Sequence, residues 1–238
     1  MLTRQRRGSP WSVTTSISPW ESAGRIARQG DSRVDLADPV AGLVCGGDDH
    51  LLGVDLRGSP AAGRLVDHWI RGSDLVAIYE PADPRRLRVT AMWRSLEPLG
   101  TAWELVVSSQ TALVESDSAI AVRCDVAAGE LLVAVVRDGR LAWLPQPPAA
   151  TPPDAVGLLV RRATDAIFVA THPADARRLM IDCADDRVRL DCWLFSTTIE
   201  KGVLLRSRVL AAVGGAGETA WAESLFAAFA ASPPPLTT

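Results

Sequence analysis

The chain has 238 residues, 47% of them apolar and 22% charged, which excludes a disordered or fibrous chain and leaves room for one large or two small packed units. Its net charge of −3 is uneven: residues 1–30 carry five arginines against Glu21 alone, so the rest of the chain is acidic and repels phosphate. Nucleic acid is therefore not an expected partner, and no apolar run reaches the roughly 18 residues of a membrane-spanning helix.

Residues 1–38, rich in Ser, Thr, Arg and Gly, read as a flexible basic arm. The arm carries a doubled Ser-Pro-Trp at Ser9–Trp11 and Ser18–Trp20, and an exposed tryptophan invites docking on the body. Met1–Gly8 has the basic start of a signal peptide. The segment after it is Ser/Thr-rich and broken by Pro10 and Pro19, so a cytoplasmic location is expected.

A first β unit is expected over 39–144. Its strands are Leu51–Leu56, Val66–Ile70, Leu75–Tyr79, Leu87–Trp93, Trp103–Thr111, Ile120–Val126, Leu131–Val136 and Leu141–Leu144. A Pro-rich linker follows over 145–153. A second unit over 154–214 takes Val156–Arg161, Ala166–Ala170, Leu179–Cys183, Val188–Ser196 and Val203–Val213. Turn signals every 8–12 residues predict a mainly β fold, an antiparallel β-sandwich.

The rhythm breaks once. Trp221, Ala222, Leu225, Phe226 and Phe229 recur at helical spacing, predicting a C-terminal helix within 215–232 and a tail over 233–238. Its apolar stripe is expected to cover a sheet face or edge. The two units read as related. Pro81-Ala82-Asp83-Pro84-Arg85-Arg86-Leu87 recurs as Pro173-Ala174-Asp175-Ala176-Arg177-Arg178-Leu179, each after a similar strand. A feature built twice reads as framework, with Pro setting a turn and Asp accepting backbone bonds.

Chemistry-bearing patterns are sparse. Gly46-Gly47-Asp48-Asp49-His50 reads as a turn before a strand, because neighbouring strand residues point to opposite faces and cannot converge on a metal. His68, on an apolar run, reads as a core residue, His172 as an exposed turn residue, and Trp69, Trp93, Trp103 and Trp143 as core. The four cysteines form no CxxC pair. In a hairpin around Asp185-Asp186, Cys183 faces Val188, which leaves Cys192 beyond disulfide reach, so free thiols are expected. No nucleophile elbow, P-loop or dinucleotide fingerprint is present; neither a cofactor nor a metal is expected.

On Val188–Ser196, Val188, Leu190, Cys192 and Leu194 alternate toward the core. Arg189, Asp191, Trp193 and Phe195 share the outward face, and the charged groups beside the outward indole make a platform on which a sugar or peptide could stack. The bland alternative is that the terminal helix covers this face. The function expected is a non-enzymatic binding or interaction module for a carbohydrate or protein ligand. The alternatives are a carbohydrate-active enzyme using an Asp/Glu pair in a sandwich cleft, and a structural subunit of a larger assembly.

Three stretches, Ser109-Gln110-Thr111-Ala112-Leu113, Ile199–Val203 through Arg208, and Phe226–Thr238, resemble segments of functionally uncharacterised proteins of planctomycete-type bacteria. The resemblance covers about an eighth of the chain. It implies a β-rich body and no particular activity.

Overall fold

Short runs of β-branched and aliphatic residues, each closed by a turn after five to ten residues, pair here into two antiparallel sheets packed face to face. The computed structural model describes residues 19–56, 64–82, 84–96, 101–145, 151–175, 178–195 and 197–233. In chain order the first strands are β1 (Glu21–Ala23), β2 (Ile26–Gln29), β3 (Ser32–Asp35), β4 (Leu43–Cys45), β5 (Asp49–Asp55) and β6 (Leu65–Arg71). There follow β7 (Asp74–Tyr79), β8 (Leu87–Ser95), β9 (Ala102–Thr111), β10 (Glu115–Asp117), β11 (Ile120–Ala127), β12 (Glu130–Arg137) and β13 (Arg140–Pro145). The last are β14 (Ala155–Arg161), β15 (Asp165–Thr171), β16 (Arg178–Ala184), β17 (Arg187–Phe195), β18 (Thr198–Glu200) and β19 (Leu205–Gly215), then helix α1 (Ala220–Ala231).

One sheet has eight strands in the order β1-β2-β3-β4-β5-β11-β17-β16, and the other has nine, β13-β12-β14-β15-β19-β9-β8-β7-β6. The alternation expected for β17 holds as far as Leu194: Val188, Leu190, Cys192 and Leu194 enter the core between the sheets, but Phe195, expected outward, joins them at the strand end, where the pairing with β11 shifts register. Leu75, Ala77, Tyr79, Val89, Ala91 and Trp93 meet them from the nine-stranded side. Cys183 pairs with Val188, the register read from the hairpin, and all four cysteines are free thiols. Burial pushes the Cys45 thiol up to about 11 and Cys124 to about 12, so neither is a ready nucleophile.

The arm is corrected where the structure describes it. Residues 21–35 form β1, β2 and β3, because Ala27, Val34 and Leu36 bury completely and Gly24 and Gly30 turn the chain at φ 63° and 57°. Trp20 is buried and its Nε1 donates to the Ser73 carbonyl at 3.0 Å, so this ring does dock. Trp11 and the rest of 1–18 lie outside the described residues, as do 146–150 of the expected linker. The repeated Pro-Ala-Asp segment does two different jobs. Its first copy turns from β7 to its neighbour β8 in the same sheet, whereas its second carries the chain from β15 across to β16 in the other. Strands from both expected units share each sheet, with β11 on β17, β12 on β14 and β9 on β19.

Helix α1 lies on the outer face of the nine-stranded sheet, not on β17. Its Ala222, Leu225, Phe226 and Phe229 pack on Ala134, Val156, Phe168, Ala170 and Leu210. Phe168 meets Trp143, Trp221 and Phe226 edge-on at 5.7, 6.3 and 6.5 Å. The helix covers only the β13-to-β19 half of that face. Strands β6 to β9 remain uncovered by it.

Candidate functional site

The uncovered half forms a groove of about 710 Å³, within the roughly 300–1,000 Å³ range of small-molecule sites. Because paired residues of neighbouring strands face the same way, its floor and the sheet face that continues beyond it, at Glu104 and Val106, form a grid whose rows can be read from the registers. The first row runs Arg71, Asp74, Arg94, Glu104 and alternates in charge. The second runs Trp69, Val76, Met92, Val106, an apolar strip from the sheet edge toward its middle. The third holds Thr90, Ser108 and Arg206, and beyond it Arg88 faces Gln110. The first two rows each cross three strand spacings of roughly 4.8 Å, or about 14 Å.

The strip has a physical cause in β8. Val89, Ala91 and Trp93 point into the sandwich, so Arg88, Thr90, Met92 and Arg94 must point out. Val76, Met92 and Val106 form a small apolar cluster of their own, while Trp69 is 42% exposed at the rim. This corrects the core reading of Trp69: β6 is an edge strand with a neighbour on one side only, and His68 beside it is half-buried. Trp93 and Trp103 are buried as expected, and Trp143 is half-buried.

Charge at the head of the groove is tightly arranged. Arg94 donates to both Asp74 oxygens at 2.7 and 2.8 Å and stands 4.0 Å from Glu104. Glu104 and Arg208 are both nearly inaccessible and lie 3.6 Å apart, just beyond good hydrogen-bond distance. Burial pushes the Glu104 carboxyl above the usual carboxylate range, against the pull of Arg208 and Arg94. Arg208 also ties down the end of α1, donating to Ser232 Oγ and to the Ser232 and Pro233 carbonyls, with its guanidinium over Phe229.

His172 belongs to this anchor and is buried, contrary to the expectation of an exposed turn residue. Its Nδ1 accepts from the Ala174 amide at 3.3 Å, so the Nε2 proton goes to the Ala230 carbonyl at 3.2 Å. Burial and Arg208 hold its pKa below the usual 6.5. The native state thus binds fewer protons than the unfolded chain near that pH, and the stability carried by neutral His172 is present above 6.5 and lost as pH falls below it. Urea melts at pH 7.5 and 5.5 should show a wild-type loss that His172→Gln largely removes; equal slopes in the two proteins would exclude His172 as its source.

The outward face of β17 carries the three residues singled out from sequence, and α1 leaves it open. Asp191 accepts from Arg123 Nε at 2.8 Å, and Arg189 reaches Asp125 at 3.5 Å. Arg189 lines a shallow depression with Arg123, Asp125 and Arg187; Asp191 and the half-buried Trp193 are not part of its lining. The three residues therefore share a face without sharing a cavity. Gly46–His50 is a turn entering β5, as expected: Asp49 accepts from the Ala127 amide and from Arg162, while His50 Nδ1 meets the Ala41 carbonyl. No group of three metal-ligating side chains occurs among the described residues. Among them, too, no helix is long and apolar enough to cross a membrane.

The groove escaped the sequence reading because its residues come from five strands. A legible signal did exist in Arg88, Thr90, Met92 and Arg94, a polar face alternating with an apolar one on a strand expected from the sequence.

No protein-family model matches the chain, and no curated protein matches its sequence. Among solved structures it is similar to a candidate aldose 1-epimerase from Escherichia coli K12, at 11% identity over 84% of this chain and 99% of that one, with a TM-score of 0.51. It is also similar to a candidate mutarotase from Salmonella typhimurium, at 10% identity over 80% and 87% of the two chains, with a TM-score of 0.43. The first likeness defines the class of fold: an aldose-epimerase-like antiparallel β-sandwich.

Proposed function

We propose that the open groove of the nine-stranded sheet binds a carbohydrate, and that the protein is a binding module rather than an enzyme. The observation that carries this is the apolar strip headed by Trp69 and flanked on both sides by polar rows. A sugar ring has an apolar C–H face and a polar rim of hydroxyls, which such a strip and its flanks would meet together. Asp74 is the one carboxylate among the described lining residues, and Arg94 holds both its oxygens. That favours recognition over proton transfer, which needs a group able to give or take a proton.

Trp69→Ala should weaken binding in a glycan screen about tenfold or more. Its melting temperature should barely move, since the ring lies on an edge strand. Trp193→Ala is the comparison on the opposite sheet. Loss there instead would place the site on β17 with Arg189 and Asp191, and no change in either variant would end the carbohydrate reading of both faces.

A second reading rests on Glu104. Its Oε1 is buried with no donor within hydrogen-bond distance, and with Asp74 it brackets Arg94, an Asp/Glu pair at the head of the groove. A carboxyl whose pKa is raised by burial is better placed to pass a proton. Polarimetry of glucose anomerisation separates the readings: acceleration that disappears in Glu104→Gln makes the protein an enzyme, and no acceleration leaves it a binder.

A further inference from the structure

Four of the thirteen groove-lining residues are arginine. The chain as a whole has 25 basic residues in 238, Lys201 being its single lysine, so arginine makes up about a tenth of it. Compositional bias alone does not place Arg71, Arg88, Arg94 and Arg206 around one cavity. They do so on a protein whose net charge is −3, and among the lining residues they face one carboxylate, Asp74. Arg94 is satisfied by Asp74. Arg88 also meets Glu80 at 3.2 Å outside the lining, but both side chains are nearly half exposed, and such a pair holds weakly. Arg206 Nε donates to Ser108 Oγ at 3.2 Å, which aims the guanidinium along the third row.

We infer that the groove is built for a saccharide carrying an oxyanion, a carboxylate or a phosphate, with the sugar ring on the Trp69 strip and the anion against Arg206 and Arg88. This rests on the carbohydrate reading and narrows it. A planar fork of N–H donors matches both kinds of oxyanion, and the local excess of positive charge favours anionic over neutral ligands. Arg71, at the rim beside Trp69, adds to the same field.

Glucose, glucuronate and glucose 6-phosphate share one ring and differ only in the group at its sixth carbon, so they test the inference directly by titration calorimetry. One or both anionic sugars should bind about tenfold more tightly than glucose, and raising salt should narrow the gap. The stronger of the two identifies carboxylate or phosphate as the group read. Arg206→Gln should remove most of that advantage, weakening the anionic sugars much more than glucose, with Arg88→Gln, on the surface, as a second variant that does not disturb packing. Glucose binding as tightly as both anions would overturn the inference and leave the carbohydrate reading standing, as would variants that weaken all three sugars equally. No binding of any of the three, together with no loss for Trp69→Ala in the glycan screen, would remove both.

Discussion

Phe168→Ala should destabilise the protein by about 3–5 kcal/mol, the range for deleting a large buried aromatic. Phe168 is fully buried on the outer face of β15, where Trp143, Trp221 and Phe226 all meet its ring edge-on. Alanine leaves a void that α1 can fill only by sliding toward the sheet, and Trp221 already abuts Gly214, where even a Cβ would stand 2.4 Å from the indole. The loss should appear as a lower urea midpoint with unchanged slope. A cost below about 1 kcal/mol would mean that α1 does not pack on this face as described.

Arg208→Met should cost about as much, roughly 3–5 kcal/mol, for a different reason. The substitution leaves Glu104 buried beside Arg94 alone and frees the Ser232 and Pro233 carbonyls that hold the end of α1. The pair is separable by a double-mutant cycle. Glu104→Met with Arg208→Met removes both buried charges and should recover a large part of the loss, because the penalty lies in the charge left behind. A double variant as unstable as the sum of the two singles would show that the two side chains are not coupled. In Glu104→Gln alone the pH response should also change. A carboxyl raised by burial makes the native state bind more protons than the unfolded chain, so wild-type stability declines as pH climbs above 4.5, and glutamine removes that contribution.

What could be read from the sequence was what depends on local alternation. The thirteen strands expected from period-two patterning all form, and the β16–β17 register follows from two aspartates at a turn. The helical stripe predicted the face that α1 buries, but not which sheet receives it, since an apolar stripe fits any apolar surface of suitable curvature. Short strands such as β1, β2 and β3 were lost among Ser, Arg and Gly because three or four residues carry too little periodicity to stand out. Trp69 and His172 show the other limit. Alternation says which way a side chain points, not whether another element lies over it; Trp69 ended at an open edge and His172 beneath the end of a helix.

The order of strands in the nine-stranded sheet bears on how the chain is made. β19 leaves the ribosome after every other strand of its sheet, yet it lies in the middle and pairs with β9 on one side and β15 on the other. Until residue 215 is available, β9 and β15 each present an unpaired edge, and closing β9 on β19 joins residues about a hundred positions apart. The N-terminal half therefore cannot complete its sheet during synthesis, and the nascent chain must carry two adhesive edges until β19 has emerged. Early termination anywhere before β19 would leave an aggregation-prone product rather than a smaller working protein.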